Sequence, residues 1–317
     1  MLPTLLEHTS TRVNAEIDPV LHIWGWEIAV YLFLGGLVAG LLILSSLLLW
    51  RPRDTAPARI LQLAPLVALV LLSLGMGTLF LDLAYKLHVF RFYLAFRPTS
   101  PMSWGAWILV LIYPVAALSG LLALGPELQG KLLKKLPLVG VLAWAQRQRQ
   151  VLLGATLAGG VGLGIYTGLL LGTLTARIQW NTAVLGPLFL TSGLSSGAAF
   201  LLLFKLDEAD RHRLVRWDML ALAVEGVLIA SMVLGFANAG AAGQLAADAL
   251  LGGAWTASFW SLVVVMGIAV PLVLESIEIK KHLPLVAVTP ALVLLGGLAL
   301  RAVLLAAGQD SGFRLLP

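Results

Sequence analysis

Eight separate runs of apolar residues, each 20 or more long, set the limits of what this protein can become. A run of that length crosses a bilayer core of roughly 30 Å as a helix. Inside that core every backbone N–H and C=O must find its partner within the protein, which a helix achieves alone. Only 12% of the 317 residues are charged, about half the share of a soluble domain. The fold class expected is therefore all-α transmembrane, with eight helices at about 22–50, 59–86, 103–126, 150–174, 182–205, 215–239, 254–278 and 284–308.

Orientation follows from the cations. Fourteen Lys and Arg fall on one side of this arrangement and six on the other, with Arg301 left inside a helix. The richer side faces the cytoplasm. Both termini then face outward, as an even number of helices requires. The net charge of +5 is spread over loops and reads as topology, so no nucleic-acid partner is expected. The connection at 127–149 is the longest. It contains KLLKKLPLVGVLAWAQRQRQ, which is basic and amphipathic, and is expected to lie along the membrane surface in contact with lipid headgroups. Residues 1–21 are polar and read as an exposed arm. They show no basic region ahead of an early apolar run and no cleavage site, so no removable signal peptide is expected.

Composition also narrows the chemistry. With no cysteine, the protein cannot ligate its own iron–sulfur cluster, attach a c-type haem or form a disulfide. Its five histidines, His8, His22, His88, His212 and His282, lie at helix ends or in loops. A haem buried in a helical bundle takes axial ligands from within the membrane, so no haem and no metal site are expected.

The stretch from Gly154 to Gly197 has features that lipid does not demand. Gly160, Gly164, Gly168 and Gly172 recur every four residues. On a helix they form one smooth ridge for close backbone packing. Tyr166 points away from that ridge. Its hydroxyl needs a partner, which is either a neighbouring helix or a polar ligand entering from lipid. Glu27, Asp82, Tyr166, Trp104 and Trp107 fall at similar depth toward the outer face. The loop HVFRFYLAFRPTSPMSWGAW stands where it would cover them. Glu27 shares a helix face with Tyr31, four residues on. Deeper in the second half lie Glu225 and Arg301, with Glu275 and Glu278 near the inner end of the seventh helix. Ionisable groups at such depth are functional candidates. The series suits a proton path or the joining of two bundles. The depths of Glu225 and Arg301 differ, which argues against direct pairing.

Five motifs resemble the NrfD/PsrC family, the integral membrane subunits of polysulfide-reductase-type complexes. They are WGWEIAVYLFLGGLVAG, FRPTSPMSWGAW, GIYTGLLLG, WNTAVLGPLFLTSGLSSG and GGLALRAVLLAAGQ, in order over nearly the whole sequence. The resemblance implies two four-helix bundles, at 22–174 and 182–308, with a short outer tail at 309–317. It implies a multi-pass protein of a bacterial or archaeal inner membrane. It also implies exchange of electrons between a quinone (menaquinone or ubiquinone) and a partner iron–sulfur, ferredoxin-like subunit at the outer face. That partner usually serves a catalytic subunit, often a molybdopterin enzyme. The protein would then be the quinone-reactive part of an oxidoreductase and not a complete enzyme.

The family's quinone-bonding tyrosine falls on Tyr166. Its first-helix positions fall on Tyr31 and Ile28, with His22 and Glu27 nearby. Glu27 stands ahead of His22 as the second hydrogen-bond partner. Glu27 or Asp82 would exchange protons, and Trp104 and Trp107 would form apolar walls. Proton translocation through Glu225 and Arg301 would be an added capacity. A redox-inactive membrane anchor and a secondary transporter are the rival readings.

Overall fold

The computed structural model describes residues 24–51, 56–83, 85–124, 129–130, 139–281 and 287–311. His22, residues 1–21 and most of the 309–317 tail lie outside the described residues. Among the described residues, eight helices have the length and apolar composition to cross a membrane. They are α1 (Trp26–Trp50), α2 (Arg59–Asp82), α3 (Pro101–Ala123), α4 (Arg149–Gly172), α5 (Leu185–Leu202), α6 (Glu208–Ala237), α7 (Thr256–Lys280) and α8 (Val288–Asp310). Among the described residues there is no strand. Boundaries agree with the sequence expectation to within a few residues, except that α6 starts seven residues early. Its first turns carry Glu208, Asp210, Arg211 and Arg213. The acidic pair suits the positive end of the helix dipole, so this charged foot stays helical beyond its apolar part.

Local chemistry sets the other ends. Pro101 opens α3 at a position where its missing N–H costs nothing. Arg51 closes α1 in extended geometry, as a residue before proline prefers. Among the described residues, shorter α-helical pieces accompany the spans. Arg91–Leu94 lies between α2 and α3, Val139–Arg147 precedes α4, and Gly240–Leu251 follows α6. The second of these falls inside the basic amphipathic connection. The third lies where no element is expected from the sequence.

Hydrogen bonds between helix ends fix which termini meet. Trp24 and Gln309 exchange two bonds of 3.0 and 2.9 Å, joining the start of α1 to the end of α8. Arg149 Nη2 donates to the Leu49 carbonyl at 2.6 Å, joining the start of α4 to the end of α1. Arg211 and Glu278 join the start of α6 to the end of α7. The first contact marks an aromatic end of the molecule, the other two a basic end.

Helix α1 is the most enclosed, packing against α2, α4, α5 and α8. α3 packs on α2 and α4, and α6 on α5 and α7. Where α1 meets α5 the backbones touch. A Cβ at Gly40 would strike the Gly193 carbonyl, and one at Gly197 would strike Gly40. This is small-residue packing in the absence of a hydrophobic drive between helices. The glycine ridge of α4 packs as its spacing implies. Gly160 faces Ala39 and Ile43 of α1, while Gly164 and Gly168 face Leu190 and Leu185 of α5. In α7, residues Phe259–Ala269 form wider π turns. There Gly267 lies against Gly296 of α8 with no room for a Cβ on either.

Candidate functional site

Among the polar side chains buried in this apolar frame, two groups hold expected site residues. The first lies toward the aromatic end. Tyr31 on α1 and Tyr166 on α4 are 6% and 7% exposed, and their phenols lie close enough to interact. The glycine of SPMSWGAW makes this pairing possible. A methyl group at Gly105 would overlap the Tyr166 ring, so α3 and α4 close only because position 105 has no side chain. Tyr93, from the short helix at Arg91–Leu94, comes close enough to interact electrostatically with both phenols. Partial burial, with a smaller effect of Tyr113, raises the Tyr93 phenol above its ordinary value and keeps it a neutral donor.

The loop over this pair is stapled in place. Trp104 Nε1 donates to the Pro98 carbonyl at 2.7 Å. Ser103 Oγ accepts from the Arg97 amide at 2.9 Å and donates to the Ala95 carbonyl at 3.1 Å. The loop itself lines a cavity of about 510 Å³, with Leu83, Tyr85, Arg91, Phe92, Met102 and Ser103 among its walls. Trp107 packs edge-on against Phe96, centroids 5.7 Å apart. Its indole N–H is buried and meets no acceptor among the described residues.

Each expected site residue can now be placed. Tyr166 lies beside Tyr31 rather than Glu27. Glu27 sits one turn nearer the start of α1, with its carboxylate folded over Gly25. Asp82 closes α2, near enough to feel the charge of Glu27. Trp104 is exposed and braces the loop, whereas Trp107 turns inward.

The second group forms two rungs across α5 and α6. In the upper rung Arg301 is fully buried. Its Nη1 donates to Ser192 Oγ and to the Gly297 carbonyl, each at 2.8 Å. Its Nη2 donates to the Phe189 carbonyl at 3.1 Å, and its Nε to the Leu32 carbonyl at 3.3 Å. Glu225 lies beside Ser192, and its charge interacts with that of Arg301. No direct ion pair joins Glu225 to Arg301 among the described residues, in keeping with their difference in depth. Helical side chains lean toward the helix N-terminus, so the guanidinium folds back one turn to Gly297. Ser192 fills the remaining gap.

The lower rung lies beyond what the sequence reading anticipates. Ser195 Oγ donates to Asp218 Oδ1 at 2.6 Å, and Asp218 faces Glu275 on α7. Both carboxyls are at most 1% exposed. The signal was present as spacing. Asp218 and Glu225 are seven residues apart, on one face of α6, and Ser192 and Ser195 are three apart on α5. Among the described residues no cluster of three or more potential metal ligands occurs.

Eight apolar spans around a paired-tyrosine site and a buried polar ladder define a multi-pass membrane protein. Comparison with known proteins gives the family. The family model described as "Polysulphide reductase, NrfD" matches residues 13–311. The C subunit of the polysulfide reductase of Wolinella succinogenes is 30% identical over 302 residues, covering 90% of this protein and 94% of that one. Protein NrfD of Escherichia coli is 31% identical over 306 residues, covering 90% and 95%. A NrfD homologue of Haemophilus influenzae is 25% identical over 306 residues, covering 90% and 94%. The protein belongs to the NrfD family of polysulphide-reductase membrane proteins.

Proposed function

We propose that this protein is the quinone-reactive membrane subunit of a respiratory oxidoreductase complex. It would exchange electrons between membrane quinone and an iron–sulfur partner at the outer face, and that partner would serve a catalytic subunit, in many relatives a molybdopterin enzyme. The aromatic end would face outward with both termini, in a bacterial or archaeal inner membrane. Residues 22–174 and 182–308 would act as two four-helix bundles, the first holding the quinone site.

The observation that carries this reading is the Tyr31–Tyr166 pair, buried beneath a stapled aromatic loop. A quinone head offers polar oxygens on an apolar ring and fits a site of apolar walls with few donors. Two phenols and the unpartnered indole N–H of Trp107 supply such donors. Oxidation of a quinol releases two electrons and two protons. The phenols would hold the ring oxygens, while Glu27 and Asp82 at the rim would exchange protons with outer water. Trp104 would keep the loop closed over the site.

Purification in mild detergent, followed by quinone extraction, metal analysis and mass spectrometry of co-purifying proteins, tests the reading. Bound quinone and an iron–sulfur protein are expected. A protein that purifies alone without quinone in several detergents would instead favour a transporter or a redox-inactive anchor.

The buried ladder favours a second capacity, proton translocation coupled to quinone turnover through Glu225 and Arg301. Intramembrane ionisable groups that bond one another mark such relays in pumps. Glu225→Gln is expected to reduce proton movement per electron transferred. An unchanged ratio would leave the ladder with a structural role only.

A further inference from the structure

The lower rung contains a contact that two anions could not complete. Asp218 Oδ1 is taken by the Ser195 hydroxyl. Asp218 Oδ2 and Glu275 Oε2 are buried and meet no donor group, yet the two carboxyls face each other within hydrogen-bonding reach. Two ionised carboxylates cannot share such a position, because their repulsion is uncompensated and unhydrated. A proton on one of them turns the same geometry into a short, favourable O–H···O contact.

We propose that Asp218 and Glu275 form a proton-holding pair, the cytoplasm-side loading point of the buried ladder. This rests on the proton-translocating reading of Glu225 and Arg301. The placement of charged groups around the pair supports the assignment. Glu275 lies near the basic end of α7, one turn from Glu278. Glu278 Oε1 is held by Arg211 Nε and Nη2 at 2.9 and 2.7 Å. Arg213 Nη1 meets Asp210 Oδ1 at 3.2 Å on the adjoining turn of α6. These groups form a polar collar between cytoplasmic water and the pair. On the other side, Ser195 leads one turn along α5 to Ser192, which accepts from Arg301 and lies beside Glu225.

The transfer balances simply. Water at the collar gives a proton to Glu275 while the Asp218 carboxylate accepts the proton that Glu275 already holds. Asp218 then passes a proton toward Glu225. Asp218 and Glu225 are two helical turns apart, about 10 Å at 1.5 Å per residue, so that last step runs through Ser195, Ser192 and intervening water. No electron is involved in the ladder.

The test uses the intact complex and has two readouts. The first is infrared spectroscopy with hydrogen–deuterium exchange at neutral pH, which does not depend on turnover. The wild type is expected to show an exchange-sensitive carboxylic-acid carbonyl band that is missing from the Asp218→Asn/Glu275→Gln double variant. The same spectrum from both overturns the pair. The second is proton movement during quinol turnover in liposomes with an internal pH dye. Glu275→Gln, which keeps shape and removes the titrating group, is expected to slow proton movement about 100-fold, the scale of one lost proton-transfer group. Proton movement per electron equal to the wild type overturns the relay. A wild-type complex with no quinone turnover would instead defeat the quinone reading, and the infrared result would still decide whether the pair holds a proton.

Discussion

Arg301 Nη1 and Ser192 Oγ are joined by a 2.8 Å hydrogen bond between α8 and α5. The carboxyl of Glu225 lies beside that hydroxyl and interacts with the fully buried guanidinium through charge. The contact ties three helices together and satisfies a charge that lipid would otherwise penalise severely.

Removing one member should therefore cost more than removing both. Arg301→Met is expected to destabilise the protein by about 3–5 kcal/mol, because Glu225 is left as an uncompensated buried charge. The double variant Arg301→Met/Glu225→Met should recover much of that loss. Thermal unfolding in detergent of the two single variants and the double variant measures the coupling. A double variant no more stable than Arg301→Met would show that the pair does not act as a unit.

Glycine positions should separate by what surrounds them. Gly197→Ala pushes a methyl group into the Gly40 backbone and is expected to cost about 1–3 kcal/mol through overpacking. Gly77 on α2 is exposed with nothing near it. Gly77→Ala is expected to be neutral or stabilising by up to about 1 kcal/mol through helix propensity. Equal unfolding temperatures for the two variants would contradict the close α1–α5 contact.

Trp104→Phe removes the 2.7 Å bond to the Pro98 carbonyl while keeping most of the apolar area. A net loss of about 1 kcal/mol is expected, confined to the loop. Limited proteolysis should cut between residues 85 and 100 faster in the variant, with the overall unfolding temperature little changed. Unaltered cleavage would mean the loop is held by its other contacts.

Much of this architecture was legible in the residues. Membrane spans are legible because lipid imposes one rule, long apolar helices, and the glycine ridge of α4 announced its own packing. Tyr166 and Tyr31 could be singled out because the motifs of the resemblance place them. The lower rung was missed for a physical reason. Asp218 sits only a few residues beyond the charged foot of α6, where an acidic side chain reads as interfacial. Its burial depends on α7 bringing Glu275 to it, which no local pattern encodes. That Ser192 bonds Arg301 beside Glu225 was hidden likewise, because depth counted from backbone position takes no account of a long arginine side chain that leans back one turn.

The central claim is that the paired tyrosines form the quinone site, and one substitution tests it directly. Tyr166→Phe keeps the ring that fills the space against Gly105 and removes only the hydroxyl. Quinol turnover by the purified complex should fall roughly tenfold, the kinetic equivalent of about 1–1.5 kcal/mol of lost hydrogen bonding. Partner content and unfolding temperature should stay close to those of the wild type. Turnover equal to the wild type, in a variant that assembles normally, would contradict the account.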